Sequence, residues 1–504
     1  NTLSNGNLTS NGAGGLNQCL STIGMSSGKW YFEATIVDNT DNQGVGIALK
    51  PTPGTFIGNT SSGYLYYGNG TKRHSTTNTV VADSFTDGDV VGIAFDADAG
   101  NLYFYKNGVA QISGSAAFTG LTSGPYFFTV DQDHTSSEID ANFGQRSFAY
   151  TAPSGYKALC TTNLPTPTIA DGSDYFQAKT YTGNGGTQSI TTTGMSPDWV
   201  WTKRRNLAAS HNLYDIVRGA TKFLGSDTNN AEQTGSDRLT SFDSTGFSLG
   251  SNAEVNNNND TYIAWCWDAG SSTVSNTDGS ITSTVRASAA SGFSIVTWTG
   301  NQTNGSVGHG LNAAPKIVFV KDTDVAYNWY VFTTATGSHL RIEGLNNTNA
   351  ASSPGSQYTL NSSTVSNLST LASLNTTGST MLMYCIAPVE GFSSIGSYEG
   401  NGSNDGPFIF TGMRPAWIMI RASSDTGRWV IHDTARAANN ASESVLYANT
   451  SDAEYTNSGM AVDILSNGFK VRTGTSSFQN GSGVTYIYVA FAENPFQANG
   501  GLAR

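Results

Sequence analysis

Short runs in which apolar and polar residues alternate make up much of the first 150 residues of the chain. In one of them, Trp30, Phe32 and Ala34 occupy every second position, as in a half-buried β-strand. Similar runs follow at residues 44–48, 63–67, 89–95, 101–105, 126–130 and 141–144. Asp-Gly, Asn-Gly and Ala-Gly pairs between the runs favour tight turns. The pattern predicts a sandwich of antiparallel sheets.

The rest of the chain contains one pattern three times. Each copy begins with two aromatic residues, the second followed by x-Gly-Asn, continues with a strand that starts at a proline, and closes with a strongly apolar strand. A cation stands six residues after each proline. The opening segments are Phe176–Asn184, Phe293–Asn301 and Phe392–Asn401. The proline strands are Pro197–Lys203, Pro315–Lys321 and Pro415–Arg421, and the closing strands are Thr261–Trp267, Thr380–Ile386 and Thr485–Phe491. Copies of roughly 100 residues exceed the ~20–50 residues of solenoid units, so each copy is predicted to be a domain-sized β unit.

Five segments of the N-terminal third resemble the SPRY family. They are Gly28–Glu33, Gly44–Gly46, Gly88–Asp96, Leu102–Gly108 and Asn142–Gly144, in this order and spacing. The resemblance implies a bent β-sandwich of the concanavalin type that serves as a binding module and has no chemistry of its own. In that family partners dock on loops at one edge, which correspond here to residues 38–43, 64–73 and 131–138.

These loops supply the candidate ligand-binding residues: Tyr64, Tyr66, Asp131, Asp133, His134 and Glu138. The acidic residues and the histidine could coordinate Ca²⁺ or accept hydrogen bonds from sugar hydroxyls, because hard oxygen ligands suit both tasks. The alternative is a solvated acidic loop. The tyrosines could stack on a sugar ring, whereas the alternative is packing within the sheet. Apart from this Ca²⁺, no cofactor and no metal are expected.

Charge is scarce in this chain. Charged residues make up 12% of the 504 residues, against ~25% in an average soluble domain, and Gly, Asn, Ser and Thr replace them. The net charge of −12 argues against nucleic-acid binding, which needs a basic surface. No apolar run reaches the ~18 residues of a membrane span, so membrane insertion is not expected. Residue 1 is not Met, which is typical of an internal start.

Searches for catalytic and metal-binding motifs give no constellation. Four scattered cysteines fit free thiols in cores, and the six histidines lack metal-ligand spacing. Asp215 with Arg218 and Asp433 with Arg436 recur in copies one and three, where an ion pair that braces a strand is favoured over a sugar-binding pair. We therefore predict a protein that is not an enzyme, although a β-sandwich could supply the two carboxylates of a glycosidase without a local motif.

The chain is predicted to be all-β, with a SPRY-type sandwich over 1–150, a linker over 151–172, and three sandwich-like repeats. The repeats span 173–270, 271–390 with a bridging hairpin at its start, and 391–504. Segments 276–299, 390–408 and 490–496, together with the SPRY match, make the arrangement similar to virion proteins of phages of marine bacteria.

This second resemblance implies a structural protein on the virion surface. It would be a tail fibre or spike that attaches to a bacterial surface glycan or receptor, contacts other virion proteins and forms a homotrimer. The alternatives are a capsid fibre or decoration protein, a polysaccharide depolymerase, and a bacterial extracellular adhesin.

Overall fold

The computed structural model describes residues 2–15, 17–40, 43–51, 55–132, 134–353, 355, 357–368, 372–474, 476–492 and 494–495. The chain divides into two compact units, Asn1–Thr166 and Pro167–Arg504. Both are built almost entirely from β-strands, and the predicted all-β class is confirmed. In the part of the chain just given, no helix is long and apolar enough to cross a membrane.

The first unit contains fourteen short strands. They are β1 (Thr2–Ser4), β2 (Thr9–Asn11), β3 (Asn17–Leu20), β4 (Lys29–Asp38), β5 (Gly44–Ala48), β6 (Gly63–Tyr67), β7 (Thr71–His74), β8 (Thr77–Val80), β9 (Val90–Asp96), β10 (Asn101–Lys106), β11 (Val109–Ala110), β12 (Phe127–Gln132), β13 (Glu138–Asn142) and β14 (Lys157–Ala158). Short 3₁₀ turns lie at Ile57–Asn59, Ile112–Gly114 and Thr161–Asn163.

Two sheets pack face to face in this unit. One has the order β1-β2-β13-β4-β9-β10-β11, and the other has the order β3-β12-β5-β6-β7-β8. Alternate residues of a strand face the same side of its sheet. Accordingly, Trp30, Phe32 and Ala34 of β4 all lie in the core between the two sheets. This is the sandwich that the sequence predicts.

The stretch after residue 150, expected to be a linker, packs on the sandwich up to Thr166. Its strand β14 pairs in parallel with β4, and Leu159 is buried in the core. The buried carboxylate of Glu33 accepts backbone hydrogen bonds from Ala149 (2.8 Å) and Tyr150 (2.9 Å). These contacts give the segment a fixed place on the sheet.

The second unit contains the three repeats. Repeat 1 has β15 (Phe176–Thr182), β16 (Gln188–Thr191), β17 (Trp199–Arg204), β18 (Asn212–Asp215), β19 (Lys222–Phe223), β20 (Gln233–Thr234), β21 (Leu239–Asp243), β22 (Gly246–Leu249), α1 (Ala253–Asn256) and β23 (Thr261–Trp267), after a 3₁₀ turn at Gly172–Asp174. Repeat 2 has β24 (Thr273–Asn276), β25 (Ser283–Ser288), β26 (Phe293–Thr299), β27 (Ser306–Gly308), β28 (Ile317–Asp322), β29 (Tyr330–Thr333), β30 (Leu340–Glu343), β31 (Ala351–Ser352), β32 (Thr359–Leu360), β33 (Thr364–Ser366), α2 (Ala372–Asn375) and β34 (Thr380–Ile386). Repeat 3 has β35 (Ser393–Glu399), β36 (Phe408–Phe410), β37 (Met413–Arg414), β38 (Trp417–Ala422), β39 (Val430–Asp433), β40 (Ser444–Tyr447), β41 (Tyr455–Thr456), β42 (Val462–Leu465), β43 (Gly468–Val471), β44 (Thr485–Phe491) and β45 (Asn494–Pro495), with a 3₁₀ turn at Ser458–Met460.

Each repeat is a small sandwich of its own. The apolar closing strand pairs on one side with the opening aromatic strand and on the other with the proline strand, as β23 does with β15 and β17. A three-stranded sheet covers one face of this larger sheet, for example β16-β22-β21 in repeat 1, and encloses an apolar core. In repeat 2 the hairpin β24-β25 extends the larger sheet at its edge.

The other faces of the three larger sheets share one core. Side chains of all three repeats form a single apolar cluster rich in tryptophan. Its ring contacts join every pair of repeats: Trp199 with Tyr384 (centroids 4.5 Å apart), Trp267 with Trp417 (5.6 Å) and Phe319 with Trp429 (6.4 Å). The repeats therefore close into a ring with pseudo-threefold symmetry inside one chain.

Candidate functional site

The two candidate tyrosines lie on β6 and face the core between the sheets. Tyr66 is 1% exposed and donates a hydrogen bond to the carbonyl of Asp83, and its ring packs on Phe85 at 5.0 Å. Tyr64 is half-buried, stacks on His74 at 4.1 Å and 11°, and contacts Phe118. Burial raises the pKa of both phenols. Tyr66 therefore packs within the sheet, as the alternative interpretation has it, and its ring has no exposed face on which a sugar could stack.

Asp131 is also buried, with 1% of its surface exposed. Its carboxylate accepts hydrogen bonds from the backbone of Ile57 and Gly58 (3.1 Å each) and from the hydroxyl of Tyr67. Desolvation raises its pKa. Its oxygens are occupied in holding the 3₁₀ turn over the sheet, so Asp131 is a structural residue and is not available to an external ligand.

Two of the remaining acidic-loop candidates, His134 and Glu138, lie in the described part of the loop. His134 is half-buried, and its Nδ1 accepts a hydrogen bond from the backbone of Ser136 (3.2 Å). Glu138 is half-buried at the start of β13, and Asp133 lies outside the described residues. No group of three or more His, Cys, Asp or Glu side chains with metal-binding geometry occurs among the residues that the structure describes. Because the oxygens of Asp131 are already hydrogen-bonded within the fold, Asp131 is not a candidate Ca²⁺ ligand.

The recurring Asp–Arg pairs lie inside the ring. Arg218 Nε donates to Asp215 Oδ2 at 2.5 Å, and Arg436 donates to Asp433 with the same geometry. All four side chains are 4% exposed or less. Burial on this scale excludes a sugar-binding role and supports the interpretation as ion pairs that brace the fold.

Each pair also receives a hydrogen bond from the next repeat in the ring. Tyr384 of repeat 2 donates its hydroxyl to Asp215 (2.8 Å), and Trp265 of repeat 1 donates its indole N–H to Asp433 (3.0 Å). In repeat 2, Thr333 stands at the position of Asp215 and Asp433. In repeat 3, Val489 stands at the position of the aromatic donors Tyr384 and Trp265. The Asp–Arg pair and its donor are thus present or absent together, because a buried carboxylate requires partners.

Backbone hydrogen bonds close the ring in a cyclic order. Glu232 of repeat 1 donates its N–H to Thr323 of repeat 2 (2.6 Å), Ala351 of repeat 2 to Ser423 of repeat 3 (3.0 Å), and Glu454 of repeat 3 to Arg205 of repeat 1 (2.7 Å). Arg205 also forms two 2.8 Å hydrogen bonds with the carboxylate of Glu454. Three equivalent contacts in one direction are what rotational symmetry produces.

Ring side chains at equivalent positions cross the same three interfaces and donate in the opposite direction, from each repeat to the one before it. The indole of Trp329 donates to Gly225 O of repeat 1 (2.8 Å), and that of Trp429 donates to Gly344 O of repeat 2 (3.2 Å). Repeat 1 has His211 at this position. Its Nδ1 accepts from Trp201 (2.8 Å), so its Nε2 carries the proton and donates to Tyr447 O (3.0 Å). Burial lowers the pKa of His211 well below 6.5, which keeps the ring neutral.

The cations that follow each proline are fully buried. Lys203 donates to Ser451 O of repeat 3 (3.3 Å), Arg421 donates to Asn349 O of repeat 2, and Lys321 donates to Val325 O (3.1 Å). Desolvation lowers the pKa of Lys203 and of Lys321 to about 8. These cations hold loop carbonyls and do not contribute to a charged surface.

The x-Gly-Asn motif forms a lock with a second, buried asparagine. In repeat 1, Asn256 donates to Asn184 Oδ1 (3.0 Å), Gly186 O (2.7 Å) and Gly250 O (2.8 Å). Asn375 and Asn480 make the corresponding contacts with Asn301 and Asn401. The glycine is required because a Cβ at Gly183 would lie 2.1 Å from Asn257 O. The most regular sequence motif is therefore structural.

Repeat 1 contains a polar cavity of about 170 Å³ that no sequence motif predicts. The side chains that line it are His211, Phe223, Thr228, Asn230, Gln233, Arg238 and Glu254, together with Ser210 and Gly225. Arg238 forms an ion pair with Glu254, donates to Asn212 Oδ1 (2.6 Å) and stacks on Phe223 at 4.2 Å. Its only sequence signal is the pair of small residues, Ser210 and Gly225, where repeat 3 has Arg428 and Tyr447.

Comparison with protein families assigns both units. A family described as "Domain of unknown function (DUF7483)" matches residues 171–495, which is more than half of the chain. The chain belongs to the DUF7483 family. The SPRY domain matches residues 29–146, so the N-terminal unit is a SPRY domain. Below, residues 1–166 are the SPRY unit and residues 167–504 are the DUF7483 unit.

The SPRY unit is also similar to parts of several eukaryotic proteins. E3 ubiquitin-protein ligase RKP of Arabidopsis thaliana is 30% identical over 129 residues, 24% of this chain and 10% of the ligase. Protein SSH4 of Coccidioides immitis is 30% identical over 126 residues, 24% of this chain and 25% of SSH4. The chain thus spans a quarter or less of the length of either relative. The crystal structure of the human HERC1 SPRY domain is 23% identical with a TM-score of 0.26, and covers 29% of this chain and 94% of that domain.

Proposed function

We propose that this protein is a structural component of the surface of a bacteriophage virion, a tail fibre or spike, that attaches the particle to its host. The SPRY unit would bind a bacterial surface glycan or receptor, and the DUF7483 unit would be the rigid scaffold. The proposal draws on the resemblance of the sequence to virion proteins and on the use of SPRY domains as binding modules. The observation that carries it is the closed ring of three repeats around one core.

The ring supports a mechanical role. Its charged groups, from the two Asp–Arg pairs to the three buried cations, are used to join strands and repeats. A group held in this way cannot move toward a substrate. The exposed loops are rich in Asn, Ser, Thr and Gly, and such a surface binds by short-range contacts rather than by long-range electrostatic attraction. An uncharged glycan fits this surface better than nucleic acid does.

The location is tested by labelling intact particles. Antibody raised against the purified chain should bind at the tail of the phage in electron micrographs, and competition with the free protein should remove the label. Label over the shell would instead favour the capsid fibre or decoration protein. Label on bacterial cells and none on particles would favour the adhesin and contradict the proposal.

The attachment function is tested with whole host cells. Fluorescent full-length protein should bind them, and periodate oxidation of the cell-surface glycans should abolish binding while protease treatment should not. The reverse pattern would assign a protein receptor. Steady release of oligosaccharides from host capsule or lipopolysaccharide would favour the depolymerase. No binding to any host that the phage infects would contradict the attachment role.

The homotrimer belongs to the same proposal and has a separate test. Light scattering behind size exclusion should give three times the chain mass of 53.0 kDa. A monomer would contradict trimerisation. The threefold symmetry of the protein would then be confined to the ring of three repeats within one chain.

A further inference from the structure

The cavity in repeat 1 is an open space, whereas side chains fill the equivalent place in repeat 3. Equivalent positions follow from strand register: Trp199 pairs with Asp215 as Trp417 pairs with Asp433. By this register Ser210 corresponds to Arg428. Leu213 pairs with Leu224 as Ile431 pairs with Leu446, so Gly225 corresponds to Tyr447. Glu254, two residues before the buried Asn256, corresponds to Phe478, two residues before the buried Asn480.

In repeat 3 these positions are filled. The guanidinium of Arg428 lies over the ring of Tyr447 at 4.6 Å and near that of Phe478 at 5.8 Å, and the two rings are 6.2 Å apart. A stable version of this fold thus fills the space with side chains. At the same positions repeat 1 has Ser210, Gly225 and Glu254, and the space between them remains as a cavity.

We propose that this cavity in the DUF7483 unit binds a single neutral sugar residue. The inference concerns repeat 1 alone and depends neither on the virion location nor on binding by the SPRY unit. It is carried by the size of the cavity, the kind of groups that line it, and the filled equivalent in repeat 3.

The size fits one sugar ring. A cavity of about 170 Å³ is smaller than the ~300–1,000 Å³ of sites for drug-sized ligands, so an oligosaccharide would extend out of it. It is also larger than the space of a few ordered waters, at ~30 Å³ each. A hexose or an N-acetylhexosamine end group has suitable dimensions.

The lining groups suit hydroxyls. The amides of Asn230 and Gln233 are exposed, and neither they nor the Thr228 hydroxyl make a hydrogen bond to another described residue. Each amide offers a donor and an acceptor, as a sugar hydroxyl does. Phe223 is 7% exposed and its ring lies under the guanidinium of Arg238, so it belongs to the wall of the cavity and offers no free ring face. Both nitrogens of His211 already have partners, so His211 shapes the wall without contributing a free polar atom.

The charges in the cavity compensate each other. The guanidinium of Arg238 pairs with the carboxylate of Glu254, and the side chain of Arg238 is only 13% exposed. An anionic ligand would have to compete with Glu254, and a cationic ligand would have to compete with Arg238. A neutral polyhydroxy ligand can hydrogen-bond to both without breaking the pair.

The test uses the full-length protein and a panel of glucose, galactose, mannose, N-acetylglucosamine and N-acetylgalactosamine. Saturation-transfer NMR should detect binding of at least one sugar, and titration should give its Kd. Replacing the exposed amides by Asn230→Ala and Gln233→Ala should raise this Kd tenfold or more without lowering the melting temperature. Asn258→Ala, an exposed asparagine outside the cavity, should leave the Kd unchanged.

A second variant fills the cavity with the residue that repeat 3 has at this place. In Gly225→Tyr the new Cβ would lie 2.7 Å from Thr228 Oγ1 and 3.3 Å from Asp227 Oδ1, so these two side chains must shift to admit it. It should abolish sugar binding. No binding of any of the five sugars by the native chain, or a Kd that these variants leave unchanged, would overturn the inference.

The host-cell assay separates this inference from the proposed function. Loss of sugar binding in Gly225→Tyr with unchanged attachment to host cells would support a second site and leave the SPRY unit as the attachment module. Sugar binding by the native chain without attachment to any host would support the cavity and contradict the proposed function.

Discussion

At the residue scale, the buried Asp–Arg pairs are central to the DUF7483 unit. Asp433 accepts hydrogen bonds from Arg436 Nε, from the backbone of Arg436 (2.9 Å) and from Trp265 of another repeat. A buried charge is tolerated only with such a full set of partners. Removing one member leaves the others in a dry site, which costs more than the pair itself contributes.

We predict that Asp433→Ala destabilises the DUF7483 unit by about 3–5 kcal/mol, because Arg436 loses its main partner in the core. Calorimetry of the full chain would measure this as a lower transition temperature. The matched control is Thr333→Ala, the equivalent position in repeat 2, where the hydroxyl donates to Lys316 O (2.8 Å) and accepts from Ala335 N (3.0 Å). Losing these two neutral hydrogen bonds should cost about 2 kcal/mol. Equal effects of the two variants would contradict the role assigned to the ion pair.

Buried histidines predict a loss of stability in mild acid. Desolvation lowers the pKa of His432 to about 4, against ~6.5 in an unfolded chain. Between these values the unfolded chain binds a proton that the folded chain excludes, so the free energy of unfolding decreases as the pH falls through this window. His211 acts in the same direction.

The variant His432→Phe removes one of these groups and introduces the residue that repeat 2 has at this place, Phe332. We expect its melting temperature to decrease less between pH 7 and pH 5 than that of the native chain, whatever its stability at pH 7. His339→Gln, at an exposed histidine, is the control and should retain the native pH dependence. An unaltered slope in His432→Phe would show that this histidine does not titrate on unfolding.

At the scale of elements, the asparagine lock fixes each repeat. It joins the end of the opening strand to the turn before the closing strand, for example β15 to α1 in repeat 1. Asn256 uses both its N–H groups and its carbonyl, since its Oδ1 accepts from the backbone of Asn184 (2.9 Å). The two loops are thereby held at a fixed distance although they are far apart in sequence.

We predict that Asn256→Ala lowers the stability of the DUF7483 unit by about 3 kcal/mol, because buried carbonyls lose their donor. Urea unfolding, followed by tryptophan fluorescence, would measure the change. Asn258→Ala, two residues along and exposed, should change the stability by less than about 0.5 kcal/mol. A small effect of Asn256→Ala would mean that water replaces the amide in the lock.

At the scale of the whole molecule, the shared core makes the three repeats interdependent. Each larger sheet buries one face inside its own repeat and the other against its two neighbours. A repeat without its neighbours would expose tryptophan and other large apolar side chains to water, at about 25 cal/mol per Å² of apolar surface. The ring should therefore fold as one cooperative body.

We predict that deleting residues 391–504 prevents the other two repeats from forming a stable soluble unit. The expected result is aggregation or strong binding of a hydrophobic dye, measured beside size exclusion and circular dichroism. Residues 1–166 and residues 167–504, expressed separately, are the controls and should each fold, because each has its own core. A soluble, cooperatively melting two-repeat fragment would contradict the interdependence.

The all-β class, the SPRY unit and the presence of three repeats can be predicted from local patterns in the sequence. Strands β5 and β6 coincide with predicted runs, because a period of two positions is a local property that the sheet preserves. The four cysteines were expected in cores: Cys266 and Cys385, at the repeated site, are buried free thiols, whereas Cys19 and Cys160 are only partly buried.

Which polar residues are available to a ligand depends on the fold and cannot be predicted from those patterns. Tyr66, Asp131 and the three repeated cations look like surface chemistry in the sequence, yet burial and partners distant in sequence make them structural. The ring closes through contacts between residues far apart in the sequence, such as Tyr384 with Asp215, 169 positions apart, which no local pattern specifies. The cavity of repeat 1 arises from side chains that are small or absent, and such a space becomes visible only when its surroundings are in place.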